Sequence, residues 1–204
     1  MPAPASRDEV SELAAEVARR PPRLGHSRLV CVDGPSGAGK TVLAERLAAA
    51  LPEPTPVVHT DDLLDGWDDQ FTFWARLEEQ VLAPLRASRA GRYQVYDWHR
   101  GRFGEDRVTV PPAPVVIVEG VSAARAEVRD EASLTIFVTA PPQVRLRRSL
   151  ARDGGALAPY LEIWRQREDL HFTADATAAQ VDLVVEVGDA GGYRFGYRNA
   201  TRRP

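Results

Sequence analysis

Short apolar runs alternate with helical periodicity along most of this chain. Arg28–Asp33 contains Leu29-Val30-Cys31-Val32, a continuous apolar run of strand length. Pro56–Thr60, Val115–Glu119, Leu134–Thr139 and Val181–Val187 repeat that pattern. Between them the spacing changes. Val10, Leu13, Ala14 and Val17 predict a helix over 7–20, capped by Ser6 with Glu9 three residues on and stopped by Pro21-Pro22. Further helices are predicted over 40–51, over 69–88 with a disturbance at Pro84, over 141–153 up to the break at Gly154-Gly155, and over 157–172. Strands apolar on both sides, separated by helices, imply a parallel sheet covered on both faces. Tyr93–Trp98 and Arg107–Val110, joined by the polar stretch 99–106, fall outside this alternation and read as a β-hairpin. The chain divides into an N-terminal helix and linker (1–27), one α/β domain (28–188) and an Arg-containing C-terminal tail (189–204), expected to be frayed or loosely docked.

The first strand runs into Gly34-Pro35-Ser36-Gly37-Ala38-Gly39-Lys40-Thr41, followed by a helix. Gly-x-x-x-x-Gly-Lys-Thr in that context is a complete phosphate-binding loop. Its backbone N–H groups wrap phosphate oxygens, the helix N-terminus adds its dipole, and Gly34, Gly37 and Gly39 permit the positive φ this needs. Lys40 is expected to reach the β- and γ-phosphates and the Thr41 hydroxyl to ligate Mg2+. A nucleoside triphosphate, ATP with Mg2+, is the expected cofactor.

Composition removes several alternatives. Net charge is −3 and the pI about 5.9, so a basic footprint for nucleic acid is absent. The single cysteine, Cys31, cannot form a disulfide within the chain and sits in an apolar run as a small hydrophobe. Arg7, Asp8 and Glu9 come early with no apolar stretch behind them, and no run reaches the ~20 residues of a membrane span. A cytoplasmic protein without membrane association is therefore expected. Lys40 is the only lysine among 26 basic residues. That excludes the Asn-Lys-x-Asp base-reading motif of GTPases. The Ser-Gly-Gly-Gln signature of transport ATPases is absent as well.

Phosphoryl transfer to a small acceptor is left as the leading class. Asp61 and Asp62 end the second strand, where ligands bind in open α/β sheets. A carboxylate there orients an acceptor hydroxyl, takes its proton or holds Mg2+ through water. Glu119, followed by Gly120, ends an apolar strand and is expected to face the metal. Tyr96-Asp97-Trp98-His99-Arg100 offers aromatic faces, an acid, an imidazole and a guanidinium for an acceptor. Arg145, Arg148 and Arg152 share one helix face and could close over the phosphates, with Arg148 and Arg152 the stronger catalytic candidates.

In this order the pieces resemble the uridine kinase branch of P-loop kinases, with pantothenate kinase and phosphoribulokinase as more distant relatives. The resemblance rests on Asp33–Thr41, His59-Thr60-Asp61-Asp62, Tyr96–Arg100, Val116–Gly120, and Ile136–Val138 through Arg145–Asp153. It implies a three-layer αβα P-loop fold with a five-stranded parallel core, a β-hairpin over the acceptor site and a helical lid. It also implies transfer of the ATP γ-phosphate to a hydroxyl. Asp61 falls at the family's catalytic base, and Tyr96, Trp98 and His99 at its nucleoside pocket. Arg152 and Asp153 fall at its lid. Leu63 and Leu64 stand where that family usually has aromatics, with Trp67 as the substitute. The first-guess acceptor is uridine or cytidine. A kinase of a sugar, vitamin precursor or antibiotic is the second reading, and a nucleotide-binding module without transfer activity the third. The N-terminal helix is expected to pack on the domain or on a second subunit, which leaves a homo-oligomer open.

Overall fold

The computed structural model describes residues 7–154, 157–189 and 191–197. Among these, six strands form one sheet in the order β2-β5-β1-β6-β7-β8. They are β1 (Arg28–Asp33), β2 (Val57–His59), β5 (Val115–Glu119), β6 (Ala132–Thr139), β7 (Leu183–Val187) and β8 (Tyr193–Tyr197). β2, β5, β1, β6 and β7 run parallel, and β8 returns antiparallel to β7. β3 (Gly91–Asp97) and β4 (Arg102–Val110) pair as a separate antiparallel hairpin.

Side chains on β1 alternate between two cores, as a strand period of two requires. Leu29 and Cys31 point to one face with Val116, Val118 and Phe137. There they meet Phe73, Leu77, Val81, Leu85 and Tyr93. Val30 and Val32 point to the other with Ile117, Ile136 and Val138, under α1 (Arg7–Arg19) and α2 (Lys40–Ala50). The result is three layers, αβα. Val10, Leu13, Ala14 and Val17 are all buried, so α1 packs on α2 of its own domain. No helix among the described residues is long and apolar enough to cross a membrane.

Several elements differ from the sequence-based expectation. The helix expected from 69 starts at Trp74, because Asp69 accepts from the Asp65 N–H and pairs with Arg76, holding Trp67–Asp69 in a 3-10 turn. α3 (Trp74–Leu77), a π turn (Glu78–Leu82) and α4 (Ala83–Arg86) then run on as one helix. Pro84 has no N–H to give and its ring crowds the preceding turn; the π turn absorbs that locally. The hairpin is longer than its apolar residues suggest, since exposed β4 needs no apolar alternation to pair. The segment after 188, read as a tail, supplies β8, with Arg194 paired to Glu186; Arg198, Arg202 and Arg203 lie outside the described residues. α5 (Pro142–Asp153) starts one residue later than expected, with Pro141 as its N-cap; α6 (Ala158–Asp175) starts and ends slightly later than expected and is followed by α7 (Thr177–Gln180).

The strand ends are packed tightly. Gly120 has φ 139°, and a Cβ there would lie 1.8 Å from the Thr60 hydroxyl oxygen. Gly120→Ala is therefore expected to lower the unfolding free energy by about 2 kcal/mol or more. A urea denaturation series measures this; an unchanged midpoint would mean that the ends of β2 and β5 are not so closely seated.

Candidate active site

The site is built from the C-terminal ends of β1, β5 and β2. Glu119 closes β5 level with Val32 of β1 and His59 of β2. The phosphate loop follows β1 on one side, and Asp61 and Asp62 follow β2 on the other, within the 3-10 turn Thr60–Leu63. Asp33 ties the loop to the segment after β5. Its carboxylate accepts from the Gly34 N–H (2.6 Å), the Ser122 N–H (2.8 Å) and the Ala124 N–H (2.9 Å). Burial pushes this carboxyl up to about 6 against the pull of those donors.

The loop has the backbone its sequence requires. Gly34, Gly37 and Gly39 have φ of 135°, 75° and 102°. A Cβ on Gly34 would sit 2.0 Å from the Val138 carbonyl oxygen, so strand β6 presses directly on the start of the loop. Lys40 is buried and its Nζ donates to the Pro35 carbonyl at 3.3 Å, folded along the loop. The Thr41 hydroxyl donates to Glu119 Oε1 at 3.1 Å, and His59 Nδ1 lies 2.5 Å from the same oxygen. Bonding to Glu119 raises the His59 imidazole above its ordinary range.

A hydroxyl and a carboxylate at this spacing are hard oxygen ligands suited to Mg2+, which takes few protein ligands and completes its shell with water and phosphate. No cluster of three or more His, Cys, Asp or Glu that could hold a metal occurs among the described residues. The set therefore fits a metal shared with a nucleotide and not a closed protein cage.

A cavity of about 490 Å3 opens beside the loop. Ser36, Asp61 and Asp62 supply one part of its lining, and Trp67, Trp98 and Trp164 supply aromatic wall. His99, Arg152, Leu157 and Leu161 complete it. Trp67 joins the aromatic wall together, meeting Trp98 edge-on at 5.3 Å, Trp164 edge-on at 5.5 Å and Tyr160 stacked at 5.5 Å. Asp61 reaches solvent through the cavity, yet protein crowds it. That crowding raises its carboxyl, opposed by the charges of Lys40 and Arg152. Burial also raises Asp62, whose Oδ2 accepts from the Tyr93 hydroxyl at 3.1 Å.

The Phosphoribulokinase / Uridine kinase family model matches residues 65–156. A uridine kinase from Borrelia hermsii is 25% identical over 179 residues, 79% of this chain and 87% of its own length. Uridine-cytidine kinase C from Dictyostelium discoideum is 27% identical over 134 residues, but the match spans only 30% of that protein. In fold, a possible uridine kinase from Bacillus stearothermophilus superposes with a TM-score of 0.65 at 20% identity, covering 87% of this chain and 97% of that one. D-glycerate 3-kinase from Cryptococcus neoformans superposes at 0.62 and 14% identity, covering 95% and 100%. The chain is similar to this family over those residues and shares the fold of these P-loop kinases.

The fold gathers most, not all, of the residues the sequence nominated. Ser36, Asp61, Asp62, Trp67, Trp98, His99 and Arg152 line one cavity. Tyr96 is buried behind that wall, edge-on to Trp98 at 5.1 Å and to Phe103 at 5.2 Å. Asp97 and Arg100 do not join it. Asp97 Oδ1 accepts from the His99 and Arg100 N–H groups, both at 3.0 Å, so its work is to cap the hairpin turn. Arg100 is exposed, and both residues line a separate cavity along the hairpin. Arg148 is also elsewhere: its guanidinium donates to the Gly188 carbonyl at 3.0 Å and pins α5 to the end of β7. Arg145 donates to the Ala140 carbonyl at 3.1 Å, which leaves Arg152 as the helix's arginine at the cavity. Trp164, Leu157, Leu161 and the neighbouring Glu168 were not nominated. Leu161, Trp164 and Glu168 are the buried face of α6, at i, i+3 and i+7. A glutamate in register with an apolar stripe is the signal that could have found Glu168.

The His59–Glu119 pair has a definite pH signature. Because the folded imidazole is raised, the pair's stabilisation is fully present below the ordinary imidazole value and is lost as pH climbs through the raised one. His59→Gln is expected to be less stable than wild type in mildly acidic buffer, with the gap closing in alkaline buffer. Denaturation midpoints across pH measure it; a constant gap would contradict the pairing.

Proposed function

We propose that this kinase moves the γ-phosphate of ATP to a hydroxyl of a small, uncharged molecule, with a nucleoside such as uridine or cytidine the first candidate. The observation that carries this reading is one cavity lined both by Ser36 of the phosphate loop and by Asp61 and Asp62. Donor and acceptor sites with a carboxylate between them are the minimum geometry for in-line transfer.

In the proposed reaction Asp61 accepts the proton of the acceptor hydroxyl as its oxygen bonds to the γ-phosphorus, and the bond from that phosphorus to the β-γ bridging oxygen of ATP breaks. ADP leaves with that oxygen. Lys40, on the loop, and Arg152, at the cavity, balance charge that spreads over the transferring group. Mg2+, held at Thr41 and Glu119, would supply further neutralisation of the phosphates when bound. The aromatic wall of Trp67, Trp98 and Trp164 suits a planar or apolar face of the acceptor. Two acids against one arginine among the described residues of that lining disfavour an acceptor that brings a carboxylate or phosphate of its own.

A second reading, a non-nucleoside acceptor, has one specific support. Leu63 and Leu64 are buried in the core and do not reach the cavity. Where uridine kinases carry aromatics, this chain instead relies on Trp67, Trp98 and Trp164.

Asp61→Asn is expected to bind ATP normally and to lose about 10²–10⁴-fold in transfer rate. Normal turnover in that variant would remove Asp61 from the chemistry. A coupled ADP-release screen over nucleosides, sugars, amino alcohols and hydroxy acids separates the two readings. Saturable release with uridine or cytidine supports the first, and release with another neutral class alone supports the second. Preference for a hydroxy acid or a sugar phosphate would contradict the charge argument.

A further inference from the structure

The phosphate loop already holds an anion of the protein's own. Glu168, on α6, is fully buried. Its Oε1 accepts from the Ser36 N–H at 3.0 Å, from the Trp164 indole N–H at 2.8 Å and from the Ser36 hydroxyl. The same indole N–H lies 3.0 Å from the Ser36 hydroxyl oxygen. Oε2 is buried without a hydrogen-bond partner among the described residues. Burial raises this carboxyl, opposed by the charge of Lys40 and by the Ser36 donors. A fully buried carboxylate with an unsatisfied oxygen is costly, and a helix that only had to pack on the loop would do better with an apolar residue.

The place of that carboxylate suggests its work. A phosphate loop functions by presenting backbone N–H groups to phosphate oxygens. Here one of those N–H groups is occupied by a carboxylate oxygen, the nearest chemical stand-in for a phosphate oxygen. Ser36 is also the loop's contribution to the cavity lining, which puts it at the end of the triphosphate that faces the acceptor. That is the position of the γ-phosphate.

We propose that Glu168 competes with the γ-phosphate for the Ser36 N–H, so that ATP, and not ADP, displaces it. Displacement also breaks the bond from Glu168 to Trp164, a wall of the acceptor cavity. Arrival of the triphosphate is thereby coupled to α6 and to the acceptor wall, and the empty loop is held closed by its own anion. This rests on the reading of 34–41 as the triphosphate site.

Glu168→Gln keeps the shape and removes the charge. Isothermal titration is expected to give ATP binding tightened by about tenfold, because like-charge repulsion is gone, with ADP changed by less than about threefold. Weaker ATP binding, or equal shifts for ATP and ADP, would overturn the proposal. A second measurement needs no substitution at Glu168. In the wild-type protein, ATP is expected to move the Trp164 indole N–H resonance and ADP to leave it in place, with Trp164→Phe identifying the signal. The same response to both nucleotides would equally overturn it. Wild-type protein that binds neither nucleotide would instead bring down the reading of the loop, and this proposal with it.

Discussion

The site depends on β5 lying between β1 and β2. Parallel pairing on both sides puts Glu119 level with Val32 and His59. That alignment brings the Thr41 hydroxyl and the His59 imidazole onto a single carboxylate oxygen. A register slip of one residue would turn Glu119 into the core and separate the phosphate loop from Asp61. The close seating of Gly120 on Thr60 and of Gly34 on Val138 holds the register at this end of the sheet, where the chain is otherwise free to loop away.

Around that alignment the protein buries more polar groups than packing alone requires, and most have a definite task. Asp33 collects three N–H groups from two segments and so fixes the loop relative to the turn after β5. Thr135 and Asp182 do the same between β6 and the start of β7, with bonds of 2.9 to 3.0 Å in both directions. Both oxygens of Asp33 and Oδ2 of Asp182 are bonded, as buried carboxylates must be to avoid a net cost. Glu168 differs, because one oxygen is bonded three times and the other not at all.

The sheet was the most legible part of the chain. β1 and β5 keep the bounds their apolar runs imply, because a strand buried on both faces has no choice but to be apolar throughout. Exposed pairing was harder to read. Arg102, Glu105 and Asp106 belong to β4 with no core-facing pattern to announce them, whereas in β8 Tyr193 and Phe195 alternate onto the core in a run too short to stand out. In the site, residues tied to a strand end came together as their position suggested, namely Lys40, Thr41, Asp61 and Glu119. Residues nominated by proximity in sequence separated. Trp98 and His99 turn into the cavity while Asp97 and Arg100, one place on either side, serve the hairpin turn. Trp164 and Glu168 stayed hidden because a functional face of α6 and a packing face have the same spacing. Only the fold brings Ser36 to them across more than a hundred residues.

A triphosphate on this loop is proposed to deliver its terminal phosphoryl group into the cavity beside Asp61. The most direct measurement supplies ATP labelled at the γ-phosphate, with Mg2+, and follows the label in the presence of uridine, cytidine or another neutral hydroxylated acceptor. A phosphate ester of the acceptor carrying the label, formed in step with ADP, is expected. Label recovered solely as inorganic phosphate, at a rate no acceptor changes, would contradict it.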